Sequence, residues 1–128
     1  MQTFERVADV ERMDFVTVPT RDVGRARSFY GDVLGLPQST ANPDEFETAN
    51  VTLALWQPEA EGVTFAPNTA GFALRVPDVH AARRELEAQG VTFLGDTVDT
   101  GVCWMAFFSD PDGNVLILHR RYAPFGTG

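Results

Sequence analysis

Residues 102–121, VCWMAFFSDPDGNVLILHRR, read as one complete unit of strand, tight turn and strand. Asp110 suits the first position of the turn, Pro111 is pre-set for the second, and Gly113 closes the fourth, with apolar runs on both sides. In the second run, 114–120, Val115, Ile117 and His119 alternate with Leu116 and Leu118, so neither face is polar throughout. A sheet that is apolar on both sides is covered on both, by helices on one and by another sheet or a ligand on the other. Function is expected on the face that carries His119.

Outside this hairpin the chain supplies material for one domain: 128 residues, 44% of them hydrophobic, which suffices for a packed core. Eighteen acidic residues stand against ten basic ones, all arginine, for a formal net charge of −8. Such a surface repels phosphate backbones, so nucleic acid is not expected as a partner. Cys103 is the single cysteine and sits in an apolar run, which leaves no internal disulfide and no multi-cysteine metal site. No apolar run approaches the roughly 20 residues that cross a bilayer, so no membrane partner is expected. The first residues, MQTFERVADVERMD, mix acids and arginines and lack the apolar core of a secretory signal. A soluble cytoplasmic protein is the expectation.

Residues 1–12 are charged and weakly patterned, an extension before the first module at 13–57. There, 13–20 alternate Phe15 and Thr17 against Val16 and Val18 as a strand does. Asp22 then caps a helix whose Val23, Ala26, Phe29, Tyr30, Val33 and Leu34 form one stripe, ended by Gly35 and Pro37. Strand-like pieces follow at 36–41, 45–49 and 51–57. Residues 58–70, with two prolines and a glycine, read as a connector.

The order then repeats over 71–122, before a tail at 123–128. Residues 71–76 form a strand, and Asp78 caps a helix with Val79, Ala82 and Leu86 inward, ended by Gly90. Three more strands are expected at 91–94, 102–108 and 114–120. Arg21-Asp22-Val23 is echoed by Pro77-Asp78-Val79, and Leu53-Ala54-Leu55 by Leu116-Ile117-Leu118. Two βαβββ modules therefore share the chain, an α+β architecture.

Two such modules, each opening strand, Asp-Val, helix, together with FYGDVLGL at 29–36 and FFSDPDGN at 107–114, resemble the vicinal oxygen chelate superfamily. That superfamily includes glyoxalase I, extradiol dioxygenases, fosfomycin-inactivating thiol transferases and bleomycin-resistance proteins. The resemblance runs from about residue 13 to 122. It implies half-barrel sheets with helices outside and a cavity lined by the faces opposite the helices.

The resemblance also implies four metal-ligand positions: seven residues before each capping Asp, and the middle of each module's last strand. Here these are Phe15, Gly71, Ala54 and Ile117, none of which can donate to a divalent ion. No metal and no cofactor is expected. The pattern is most similar to the bleomycin-resistance branch, whose members bind and sequester a drug without catalysis.

If those four residues mark the inward face, alternation places Thr17, Thr52, Trp56, Ala73, Arg75, Val115 and His119 on it, together with Cys103, Met105 and Phe107 on the strand before the turn. Phe15 and Trp56 offer flat apolar surfaces, and Gly71 and Ala73 leave room, which suits an aromatic or amphipathic small molecule. The plainer readings stand beside this one. Phe15, Phe107 and Ile117 also fit as core plugs, Gly71 as a strand opening, Trp56 as rim, Arg75 as a solvated rim charge, and His119 as a hydrogen-bonded structural residue. Arg75 otherwise anchors a ligand carboxylate or phenolate. His80 is assigned to solvent, and Glu45, Glu47, Glu59 and Glu61 to a solvated edge.

Three functions remain open at this point. One is a metal-free binding protein, expected as a homodimer. Another is a glyoxalase-like lyase or isomerase in which His119 acts as acid and base or helps hold a relocated metal. The third is a filled module that contacts another protein.

Overall fold

The structure is a computed structural model that describes residues 8–124. The first seven residues of the extension and the last four of the tail lie outside the described residues. The fold is mixed α+β, with one sheet of three strands, one of four, and no closed barrel.

The first sheet combines β1 (Phe15–Pro19), β2 (Glu45–Glu47) and β3 (Thr52–Trp56) in the order β1-β3-β2, with β1 parallel and β2 antiparallel to β3. Val18, Leu53, Leu55 and Phe46 are buried with Ala26, Phe29 and Tyr30 of the helix that follows β1. That helix, α1 (Val23–Ser28), starts where the Asp22 carboxylate accepts the Arg25 amide at 3.1 Å. The helical stripe does not stay regular to Leu34. Phe29–Val33 widen into a π-helical turn, in which the Leu34 amide reaches the Phe29 carbonyl at 2.9 Å. The wider turn lets the adjacent Phe29 and Tyr30 both enter the core. A Cβ at Gly31 would lie 3.2 Å from the Phe46 ring, so this turn packs close to β2.

The second sheet contains β4 (Phe72–Arg75), β5 (Val98–Asp99), β6 (Cys103–Ser109) and β7 (Val115–Arg121) in the order β4-β7-β6-β5. As in the first sheet, the opening strand runs parallel to the last one. Between β4 and β5 lies α2 (Val79–Ala88), capped by Asp78, whose carboxylate accepts the Ala81 amide at 3.0 Å. The two caps share nearly the same backbone, φ −145° at Asp22 and −143° at Asp78, so the repeat read in the sequence extends to local geometry. Val79 and Leu86 face Ala106, Phe108, Leu116 and Leu118 in the core. Burying a side chain of that size stabilises by about 1.5–3 kcal/mol.

Two expected strands are mostly irregular. The piece at 36–41 contributes a single bridge, Gln38 to Phe46, since Pro37 has no amide to donate and only its carbonyl pairs, with Glu47 at 2.8 Å. The piece at 91–94 contributes a bridge at Phe93, breaks at Gly95, where φ is 78°, and resumes pairing as β5, which the sequence pattern did not indicate. Arg83 of α2 holds the broken stretch through the Gly95 carbonyl and the Thr97 hydroxyl. The stretch 58–70 includes a 3₁₀ turn, Pro58–Glu61.

The turn after β6 joins the two halves of the chain. The Gly113 amide closes onto the Asp110 carbonyl at 3.1 Å, as the Asp-Pro-Asp-Gly order requires. Asp110 then accepts from Tyr30 of the first module at 2.7 Å, and from the Asn114 side chain at 2.8 Å. Asn114, fully buried, also donates to the Pro19 carbonyl and accepts from the Asn68 amide. Asp112 accepts from the Thr20 hydroxyl, the Arg21 amide and the Arg25 guanidinium. The most recognisable motif of the sequence is thus a latch between modules, with each of its buried polar groups satisfied.

Candidate functional site

On the first sheet, the residues that alternate with the core set share the face turned away from α1. Register places Phe15 beside Thr52 and Thr52 beside Glu47, Thr17 beside Ala54 and Ala54 beside Glu45, and Pro19 beside Trp56. Phe15 is 60% exposed, Thr17 is exposed, and Ala54 and Trp56 are half-buried. The Thr52 hydroxyl donates to the Glu47 carboxylate at 2.8 Å. Glu45 and Glu47 lie on the edge strand β2, Glu47 exposed and Glu45 half-buried, and they share the face of the aromatic residues. Their two-residue spacing around buried Phe46 was the signal available in the sequence.

On the second sheet, Ala73, Ile117 and Phe107 form one cross-strand row, and Arg75, His119, Met105 and Val98 the next. Ile117 is buried, Phe107, Met105 and His119 are half-buried, and Ala73 and Arg75 are exposed. Among the described residues, neither Arg75 nor His119 has a side-chain hydrogen bond or an ion pair. Cys103 lies beside Arg121, with its sulfur 3.0 Å from the Thr100 hydroxyl. His80 is exposed and packs edge-on against Trp104 at 4.7 Å, on the opposite side of the sheet.

The four positions at which the resemblance implies metal ligands do not fit a metal. Phe15, Ala54 and Ile117 carry no donor atoms. At Gly71, φ is 81°, and a Cβ would lie 3.1 Å from Val115 and 3.4 Å from Ile117, so a histidine there is strained and tightly packed. Among the described residues, no three His, Cys, Asp or Glu side chains gather as a metal-holding group.

A partly open groove of about 930 Å³ lies between the first module and β4. Val16, Leu36, Leu53, Phe72 and Leu74 give it an apolar lining, and Glu47 and Arg75 also border it. That volume lies in the range of small-molecule sites, which combine apolar walls with a few polar groups. Of the residues singled out from the sequence, Ala73 and Arg75 line the groove. Phe15, Thr17, Ala54 and Trp56 share the sheet face of the first module, and Met105, Phe107, Ile117 and His119 that of the second, while Gly71 packs on Val115 at the start of β4. Val16 and Leu53 were missed because alternation assigns them to the core, where Leu53 is indeed buried, although both line the groove. No described helix is long and apolar enough to cross a membrane.

Comparison with known proteins agrees with this geometry. A family model described as "Glyoxalase/Bleomycin resistance protein/Dioxygenase superfamily" matches residues 12–118. No curated protein sequence matches the chain. Among solved structures, TnmS3, an antibiotic binding protein from Streptomyces sp. CB03234, is 26% identical with a TM-score of 0.73, over 89% of this chain and 98% of that one. A superfamily member from Sphaerobacter thermophilus DSM 20745 is 25% identical with a TM-score of 0.72, over 86% and 97%. The lactoylglutathione lyase of Agrobacterium tumefaciens shares the fold at 18% identity, with a TM-score of 0.72 over 87% and 94%. On the family model and the two-module fold together, the chain belongs to the glyoxalase, bleomycin-resistance and dioxygenase superfamily.

Proposed function

We propose that the protein binds and sequesters an aromatic or amphipathic small molecule without a metal. The observation that carries this reading is the intact superfamily fold with no donor at any of the four ligand positions, at one of which, Gly71, the backbone is strained for a histidine. Likeness to an antibiotic binding protein supports it, as do the groove and the open faces that carry Phe15, Trp56, Met105 and Phe107. Both β1 and β4 are edge strands, and Phe15 and Met13 next to that edge are 60% and 62% exposed. A second copy of the chain covering these edges would complete the enclosure, and a homodimer forms part of the proposal.

Calorimetric titration of the protein with 8-anilinonaphthalene-1-sulfonate and a panel of planar aromatic natural products tests the reading, with sedimentation analysis of the same sample. Micromolar binding by a dimer is expected. Absence of binding throughout the panel, or a stoichiometric divalent ion in protein purified without chelator, overturns it.

A further inference from the structure

The two open sheet faces carry opposite charge. The face of the first sheet consists of Phe15, Thr17 and Pro19 of β1, Thr52, Ala54 and Trp56 of β3, and Glu45 and Glu47 of β2, so its only ionisable groups are two carboxylates. The corresponding face of the second sheet has Arg75 in register with His119, and Arg121 beyond it, and none of its residues is acidic. Interspersed signs are the usual arrangement on a solvated surface, and separation of the two signs onto the two modules that flank a groove is a device for orienting a ligand. Glu47 and Arg75 border the same groove, with apolar residues between them, and among the described residues neither forms an ion pair.

We infer that the ligand is amphoteric: a planar apolar body with an anionic group, carboxylate or phenolate, held by Arg75, and a cationic amine held by Glu47, the two charged residues that border the groove. Arg75 presents a fixed fork of donors suited to a carboxylate. The Glu47 carboxylate takes the amine as a point charge, and Thr52 fixes it through its 2.8 Å hydrogen bond. A neutral aromatic would leave both charged walls unmatched and partly desolvated, and a singly charged one would leave one of them so.

This inference rests on the binding role proposed above, and three probes separate it from that role. Norfloxacin carries a carboxylate and a piperazinium at opposite ends of a planar ring system. Its N-acetyl derivative keeps only the negative charge, and its ethyl ester only the positive. Titrated calorimetrically at neutral pH and low salt, norfloxacin is expected to bind about tenfold more tightly than either derivative. R75Q should remove the advantage of norfloxacin over the ester, and E47Q its advantage over the N-acetyl compound, with thermal melts confirming that both variants are folded. Equal affinity for all three probes, or variants that weaken them indiscriminately, overturns the amphoteric reading while leaving the binding role intact. If none of the three binds while 8-anilinonaphthalene-1-sulfonate does, the groove is an apolar site or is covered by a second copy, and the inference also falls. If nothing binds, both readings fall.

Discussion

The hydroxyl of Tyr30, from the first module, meets the carboxylate of Asp110, from the second, at 2.7 Å, across eighty positions of sequence and away from solvent. Neither residue touches the groove. Their bond links the two modules, between which the groove lies.

Tyr30→Phe removes this bond and leaves Asp110 with its donors from Asn114 and Asp112. A hydrogen bond to a charged group contributes about 1.5–3 kcal/mol. Urea unfolding should show a loss of that size with an unchanged m-value, since the surface exposed on unfolding stays the same.

The same residue sets an alkaline limit. Burial, and then the neighbouring charge of Asp110, push the Tyr30 hydroxyl far above the ordinary tyrosine range. In the unfolded chain it ionises near pH 10. The stabilisation from keeping it neutral is complete below that value and is lost above it, by about 1.4 kcal/mol per pH unit. Melting temperatures measured from pH 8 to 11 should fall more steeply for the wild type than for Tyr30→Phe. Parallel curves would remove Tyr30 as the cause.

Asp112 and Arg25 form an asymmetric pair. The Asp112 side chain is 1% exposed and that of Arg25 is 47% exposed, at a separation of 2.7 Å. Arg25→Ala breaks a half-solvated ion pair and should cost less than about 1 kcal/mol. Asp112→Ala also removes the acceptor that the Thr20 hydroxyl and the Arg21 amide share, and should cost more, about 1.5–3 kcal/mol. Chemical denaturation of both variants measures the difference, and equal losses would contradict the assignment of Asp112 as the hub of the latch.

Gly71 combines φ of 81° with a Cβ position 3.1 Å from Val115. Gly71→Ala should destabilise by about 1–3 kcal/mol through strain and contact together. Gly71→His should be worse still and should gain no zinc in equilibrium dialysis, since the donor-free Phe15, Ala54 and Ile117 remain.

Much of this molecule was legible locally. Alternation gave the faces of β1, β3, β4, β6 and β7; Asp22 and Asp78 announced both helices; and the echo between them announced two modules. Those signals are local because periodicity and capping act within a few residues. The placement of Phe15, Ala54, Gly71 and Ile117, and hence the lack of donors there, also needed no coordinates once the family pattern was recognised.

What tertiary structure alone decided lies where distant segments meet. Asp110-Pro111-Asp112-Gly113-Asn114 spells a turn, but only packing shows that its carboxylates reach Tyr30, Thr20 and Arg25 and latch one module to the other. Val16 and Leu53 carry a core pattern, yet they border a groove because the first module and β4 meet without closing. Glu47 and Arg75, from different modules, border one groove because β4 lies alongside the first module. The physical reason is common to all three: long-range contacts are set by how whole faces fit against each other, and no window of sequence contains both surfaces.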